Sequence, residues 1–349
     1  MQYWLMLIVF PVISPFIVRL FYPLKLKWEY VAINVGLIVF LSSLIYGLGA
    51  WSQTDDIEIL NGYITGKDHV RVSCSHSYSC HCRTVKVGKD TTTQCDTCYE
   101  HSYDVDWRVF TSIGNTFEID RVDRQGTSEP PRWTIVQRGQ PYAKTHHYTN
   151  YIQASPNTLF NKMEFSKNKY LANVPAYPDG VFDYQYVNRV ITTGPVIPDM
   201  QKWNTAVAES LRNRGAAKQV NEVIIFTQYP REFADAVKFN WLGGKKNDVV
   251  VVIGVKDYPN VEWVEVVSWA TKNIFQAQLR DDLEGSTLDP IQTVNLIGKN
   301  IDQNFSRLHM KDYEYLSHDI TPPTWVIVIS IVVAVFGSLG LSLYFVKFN

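Results

Sequence analysis

The chain has 349 residues and a formal net charge of -1. That length is enough for two folded regions plus membrane segments, and the balanced charge gives no electrostatic basis for nucleic-acid binding. The mean hydropathy of -0.12 hides a strong segregation, because the apolar residues lie at the two ends and the middle of the chain is polar.

Residues 1–51 contain two apolar segments, at about residues 3–20 and 31–50, which predict two membrane helices joined by a short loop. The first segment carries Pro11 and Pro15, which membrane helices tolerate when neighbouring groups satisfy the freed carbonyls. The second has Asn34 as its main polar side chain. Ala32 and Gly36, four residues apart, predict close packing of this helix in lipid.

The most apolar part of the chain is residues 326–345, which contain no charged side chain. A helix of about 20 residues crosses the ~30 Å hydrocarbon core of a bilayer. We therefore expect a third membrane helix over residues 324–346. Small residues recur four apart in it, at Ala334, Ser338 and Ser342, and predict a second packing stripe.

The charges around these segments predict their orientation. Arg19 at the end of the first segment and Lys25 and Lys27 in the loop outnumber the one acid there, Glu29. Lys347 follows the last segment, whereas acidic residues at positions 55, 56 and 58 follow the second. By the positive-inside rule, the loop and the C-terminus lie in the cytoplasm. The sequence thus predicts an integral protein of the inner or plasma membrane, with residues 52–320 on the non-cytoplasmic side.

The exterior region divides by pattern into two parts. Residues 52–190 are interpreted as a β-rich lobe, because Tyr103, Val105 and Trp107 alternate with acidic residues and a turn follows. Residues 198–318 are interpreted as an α/β domain with the element order α-β-α-β-β-α-α, which implies a βαβ crossover, a hairpin and a mixed sheet covered by helices. Gly215 is expected to end the first helix of this domain.

All five cysteines of the chain lie within 25 residues of one another, interleaved with three histidines. They are Cys74, Cys80, Cys82, Cys95 and Cys98. One interpretation is a structural zinc site with thiolates from Cys80-x-Cys82 and Cys95-x-x-Cys98. The other is a pair of disulfides between these two pairs, as expected outside the cytoplasm. Either way one thiol is left over, and zinc is the one cofactor that the sequence suggests.

Residues 241–252, Trp-Leu-Gly-Gly-Lys-Lys-Asn-Asp-Val-Val-Val-Val, resemble the turn and apolar strand of TPM-type domains, a family of membrane-tethered α/β/α modules. The resemblance extends over about residues 198–316. Glu265 falls at the family's glutamate, while Trp263 and two further residues stand where the family has an arginine and glycines. The resemblance implies a phosphatase or a metal-binding assembly factor, with Asp248 and Glu265 as the candidate catalytic residues.

Residues 72–107, which include Cys74 and Cys95-Asp-Thr-Cys98-Tyr-Glu, and residues 150–160 are similar to an uncharacterised group of phage-encoded membrane proteins. That resemblance covers most of the exterior region and implies a viral origin without a known chemistry.

The sequence contains no nucleotide-binding, zinc-protease or serine-hydrolase motif. We therefore expect a membrane-anchored, non-enzymatic interaction or assembly protein, whose partners are the bilayer and another protein or a second copy of the chain. The alternative is a TPM-like phosphatase or other hydrolase.

Overall fold

The computed structural model describes residues 2–87, 90–156, 168–182, 185–186, 189–269 and 273–348. The chain forms two compact units. The helical unit comprises Met1–Ile57, His147–Asn168 and His309–Asn349, and the sheet unit comprises Glu58–His146 and Lys169–Leu308. Both terminal segments therefore belong to one unit, and the central part of the chain forms most of the other.

Three helices make up most of the helical unit: Gln2–Phe21, Trp28–Ser52 and the C-terminal helix Thr324–Phe348. The second and the C-terminal helix are long and apolar enough to cross a membrane, judged by length and composition. The first contributes a shorter apolar stretch, Leu5–Phe21. Within the described residues, two helices rather than the expected three therefore meet this criterion.

Polar and small side chains connect the second and the C-terminal helix. Asn34 is buried, and its Nδ2 donates hydrogen bonds to the carbonyl of Ser338 at 2.8 Å and to Oγ of Ser342 at 2.7 Å. Ala334, Ser338 and Ser342 are all fully buried, which confirms the packing stripe predicted for the C-terminal helix. The stripe on the second helix is not used in this way, because a Cβ added to Gly36 would meet no atom within 4 Å.

Twelve strands are present in the described residues. They are β1 Asp55–Val72, β2 Ser77–Val87, β3 Asp90–Tyr99, β4 Asp104–Thr111, β5 Thr116–Ile119, β6 Pro141–Thr149, β7 Val181–Phe182, β8 Gln185–Tyr186, β9 Val190–Thr193, β10 Asn221–Thr227, β11 Asp248–Gly254 and β12 Trp263–Ser268. They form two four-stranded sheets and two isolated hairpins, β2-β3 and β7-β8.

The first sheet has the strand order β5-β4-β1-β6 and gives residues 52–190 much of their β-rich character. Strand β4 pairs antiparallel with β1 and with β5, so the predicted hairpin is confirmed. Val105, Trp107 and Val109 are buried on one face, because successive side chains of a strand point to opposite faces. A short helix, Pro131–Ile135, lies between β5 and β6 in the chain.

The second sheet has the order β12-β11-β10-β9. Strands β9, β10 and β11 run parallel, and β12 is antiparallel to β11, which confirms the predicted mixed sheet with a crossover and a hairpin. The sequence analysis did not identify β9. Four helices accompany this sheet: Met200–Lys218, Glu232–Asn240, Asn273–Leu283 and Pro290–Asn304.

Both faces of this sheet are covered, which explains the continuous apolar run of β11. Val249, Val251 and Ile253 pack in one cluster with Trp203 of the helix Met200–Lys218, while the alternate residues of β11 pack in another with Phe233. Helices therefore lie on both sides of the sheet, as expected for a strand that is apolar at every position from Val249 to Ile253.

The role predicted for Gly215 is wrong. The helix continues to Lys218, and Gly215 instead lies against the backbone of β1. A Cβ at this position would come within 2.4 Å of the carbonyl oxygen of Asn61. Glycine is present because two pieces of backbone approach closely there, not because the helix ends.

Candidate functional sites

The cysteine cluster forms two disulfides, Cys80–Cys98 and Cys82–Cys95. Each connects β2 to β3, so the staple interpretation is confirmed. The four-thiolate zinc site is wrong, because a sulfur in a disulfide has no thiolate to offer a metal. Cys74 is the thiol left over, and it is buried.

The stapled hairpin β2-β3 has little hydrophobic core of its own. Most of its side chains are exposed, including Tyr78 and Tyr99 near its base, and its strands make few contacts with other elements of the described chain. An isolated two-stranded hairpin is marginally stable in water. The disulfides therefore supply the order that packing supplies elsewhere in the sheet unit.

A second group of side chains meets at the base of this hairpin. Cys74 and His76 lie between β1 and β2, His101 lies between β3 and β4, and Asp104 begins β4. Cys74 Sγ is 3.9 Å from His76 Nδ1 and 3.7 Å from His101 Nδ1. The carboxylate of Asp104 is 3.4 Å from each of these two ring nitrogens. One thiol, two imidazoles and one carboxylate thus converge from two connections of the chain and the start of β4.

Asp104 is the most strongly held member of this group, and its side chain is fully buried. Its Oδ2 accepts hydrogen bonds from the backbone N–H of Ser75 at 2.9 Å, from the Ser75 hydroxyl at 3.1 Å and from Arg121 at 2.9 Å. The Ser75 N–H is the main reason why the pKa of Asp104 lies well below its usual range, and Arg121 lowers it further. The carboxylate is therefore ionised. Its burial differs from the prediction, because the alternation along β4 indicated that the Asp104 side chain faces solvent. The His-x-x-Asp spacing beside the cysteines is the signal that identifies it.

Asp248, a predicted catalytic candidate, is buried at the first position of β11. It accepts hydrogen bonds from the Lys245 backbone N–H at 2.8 Å, the Tyr177 hydroxyl at 2.9 Å and Asn221 Nδ2 at 3.0 Å. Burial raises its pKa to about 6, and these donors oppose the rise. The carboxylate connects the start of β11 to its neighbours.

Glu265, the other candidate, lies on β12 and pairs with Arg231 at 2.9 Å. It stands opposite Val252, four residues along β11 from Asp248. At about 3.3 Å per residue, this separation is about 13 Å, too long for two groups acting on one bond. Asp248 also lies at the amino end of a parallel strand, whereas ligands of open α/β sheets bind at the carboxyl ends. The two candidates do not share a site.

A charge cluster that the sequence did not suggest surrounds Glu58, whose side chain is fully buried. It accepts from Lys246 Nζ at 3.1 Å, from His146 Nδ1 at 2.9 Å and from Arg307, whose Nη2 is 2.6 Å from Oε2. Sequence reasoning counted Glu58 among the acids beside the membrane. The partners are 88, 188 and 249 residues away in the chain, so a local pattern does not reveal them.

No protein-family model, no curated protein and no solved structure matches this chain. The fold itself defines the class of protein: apolar helices at both ends of the chain, a disulfide-stapled β region, and a mixed α/β/α sheet. The resemblances to TPM-type domains and to phage-encoded membrane proteins stay predictions.

Proposed function

We propose that this protein is a membrane-anchored interaction or assembly protein, which presents the hairpin β2-β3 to a partner outside the cytoplasm. The observation that carries the proposal is the hairpin itself. It is covalently fixed, exposed over most of its described surface, and its strands make few contacts with other elements among the described residues. A binding element that is already ordered loses less conformational entropy on association.

The anchoring is proposed to use all three apolar helices, with the N-terminus outside and the C-terminus in the cytoplasm. The first helix is 20 residues long, and Ser14 on it pairs with Ser338 of the C-terminal helix at 2.5 Å. The basic residues between the first two helices favour a cytoplasmic loop. Disulfides form in oxidising compartments, which supports a non-cytoplasmic sheet unit.

The binding proposal is tested by photo-crosslinking in intact cells that make the full chain. A photoreactive amino acid replaces Tyr78 or Tyr99 on the hairpin, or Val196, which is 88% exposed outside the hairpin. We expect a discrete crosslinked product from both hairpin positions and none from Val196. The mass of the product distinguishes a second copy of the chain from another protein. Equal crosslinking at all three positions, or none at any, contradicts the proposal.

The hydrolase alternative is favoured by one observation, the buried Asp248 with its pKa raised to about 6. Raised carboxyl pKa values are common among catalytic acids and bases. Phosphatase assays on the full chain in detergent, with and without divalent cations, decide it. Turnover that is abolished in Asp248→Asn would favour the hydrolase over the binding protein. Asp179→Asn, which changes an exposed aspartate, is the control and should leave the turnover unchanged.

A further inference from the structure

The group at the hairpin base has the donor set of a zinc site. Zinc in proteins is bound by thiolate, imidazole and carboxylate, almost always by four ligands in a tetrahedron when its role is structural. Cys74, His76, His101 and Asp104 supply one thiol, two imidazoles and one carboxylate, with the four ligand atoms within 4.8 Å of one another.

The distances between these atoms also fit. With zinc bonds of about 2.3 Å to sulfur and about 2.0–2.1 Å to nitrogen and oxygen, a regular tetrahedron has sulfur–nitrogen edges of about 3.6 Å and nitrogen–oxygen edges of about 3.3 Å. The observed sulfur–nitrogen distances are 3.9 and 3.7 Å, and Asp104 Oδ1 is 3.4 Å from His101 Nδ1. These three edges lie within a few tenths of an ångström of the ideal values, and all four ligand atoms lie within 4.8 Å of one another.

Asp104 provides an independent indication of a ligand. Its Oδ1 is buried and accepts no hydrogen bond among the described residues, although it lies 3.4 Å from His101 Nδ1, whereas Oδ2 accepts hydrogen bonds from Ser75 and Arg121. A buried carboxylate oxygen without a hydrogen bond is costly unless a cation binds it. The backbone N–H of His76 also donates a hydrogen bond to Cys74 Sγ at 3.4 Å.

We propose that Cys74, His76, His101 and Asp104 bind one structural zinc ion, through Sγ, the two Nδ1 atoms and a carboxylate oxygen. Zinc fits better than calcium or magnesium, which prefer oxygen ligands alone. Four protein ligands leave no open position for a substrate, so the site is structural rather than catalytic. Arg121 and Ser75 hold the carboxylate in place from behind, as outer partners of metal ligands commonly do.

This zinc site goes beyond the proposed binding function, because it concerns how the hairpin is attached and not what it binds. The ion joins the connection before β2 to the connection after β3. The two disulfides fix the strands to each other, and the zinc fixes the pair of strands to β4. It also gives a metal bond to the one cysteine that has no disulfide partner.

The test is metal analysis of the full chain, purified in detergent without chelators and with a tag that lacks histidine. We expect about one zinc ion per wild-type chain and at least a tenfold lower content in Cys74→Ser and Asp104→Asn. His81→Asn is the matched control and keeps its zinc. His81 lies on the same hairpin between disulfide-bonded cysteines, and Asn tolerates its positive φ of 47°.

A second measurement uses wild-type protein alone, so it tests the proposal even if a variant fails to fold. Wild-type protein is stripped with a chelator and titrated with Co²⁺, and we expect a thiolate-to-cobalt charge-transfer band that one equivalent of Zn²⁺ removes. Zinc-free wild-type protein that gives no such band overturns the proposal. Zinc that stays at the wild-type level in Cys74→Ser, or that His81→Asn loses as fully as the ligand variants do, overturns it as well.

Discussion

Glu222, on β10, should make a large contribution to the pH dependence of the free energy of unfolding. Its side chain is completely buried, Oε2 accepts one hydrogen bond from Ser210 at 3.2 Å, and Oε1 has no partner among the described residues. Burial raises its pKa from 4.5 to about 7, although Arg214 and Arg189 act in the opposite direction. The folded protein therefore holds this proton more tightly than the unfolded chain does.

The sign and the size of the effect follow from that difference. The stabilisation is fully present below about pH 4.5 and is lost as the pH rises through about 7. A shift of about 2.5 units at about 1.4 kcal/mol per unit amounts to roughly 3 kcal/mol between pH 4 and pH 8. Glu222→Gln cannot ionise, so its stability relative to the wild type should improve by about that amount over the same range.

Thermal unfolding of the two proteins in detergent, at intervals from pH 4 to pH 8, measures this difference. At about 2–4 °C per kcal/mol, the Tm of Glu222→Gln relative to the wild type should rise by roughly 6–12 °C. Glu209→Gln is the control, because Glu209 is half-exposed and its pair with Arg212 is worth little. A Tm difference for Glu222→Gln that stays constant with pH, or that widens toward acid, refutes the reasoning.

Three further variants test other parts of the fold. Glu58→Gln leaves buried cations without their carboxylate, so it should lower the free energy of unfolding, measured by thermal unfolding, by about 3–5 kcal/mol. A decrease no larger than that caused by Glu265→Gln, which changes a more exposed ion pair, would contradict this. Gly215→Ala should cost about 1–3 kcal/mol in denaturant unfolding, because the added Cβ meets backbone; an unchanged midpoint would show that the two segments separate freely. Cys82→Ser with Cys95→Ser should increase amide hydrogen exchange in β2 and β3 but not in β11, and uniform exchange would argue against an independently stapled hairpin.

The sequence predicted those parts of the fold whose patterns are local. The run of valines in β11 indicated a strand covered on both faces, and alternation indicated β4. Asp289 before Pro290 is a local pattern typical of a helix start, and the Asp289 carboxylate accepts from the backbone N–H of Ile291 and Gln292 at the start of Pro290–Asn304. In each case neighbouring residues decide the outcome, so a single sequence is enough.

What could not be predicted depends on residues that meet across long stretches of chain. Strand β9 is four residues long and carries too short a pattern to stand out. Asp104 follows the polar phase of its strand but faces Ser75 and Arg121, which neutralise the cost of burying it. The register of β11 and β12 likewise depends on distant residues, and it separates Asp248 from Glu265, two acids that the resemblance had associated; their catalytic role stays a prediction.

The covalent staple has a consequence for how this protein can change over time. Elsewhere in the sheet unit the strands are held by buried side chains, so substitutions of these residues are limited by the loss of packing. The hairpin owes its shape to two sulfur–sulfur bonds rather than to an interior. Most of its side chains are exposed, so they can change with little effect on folding. Under the binding function proposed above, this freedom would let the hairpin follow a partner whose own surface varies.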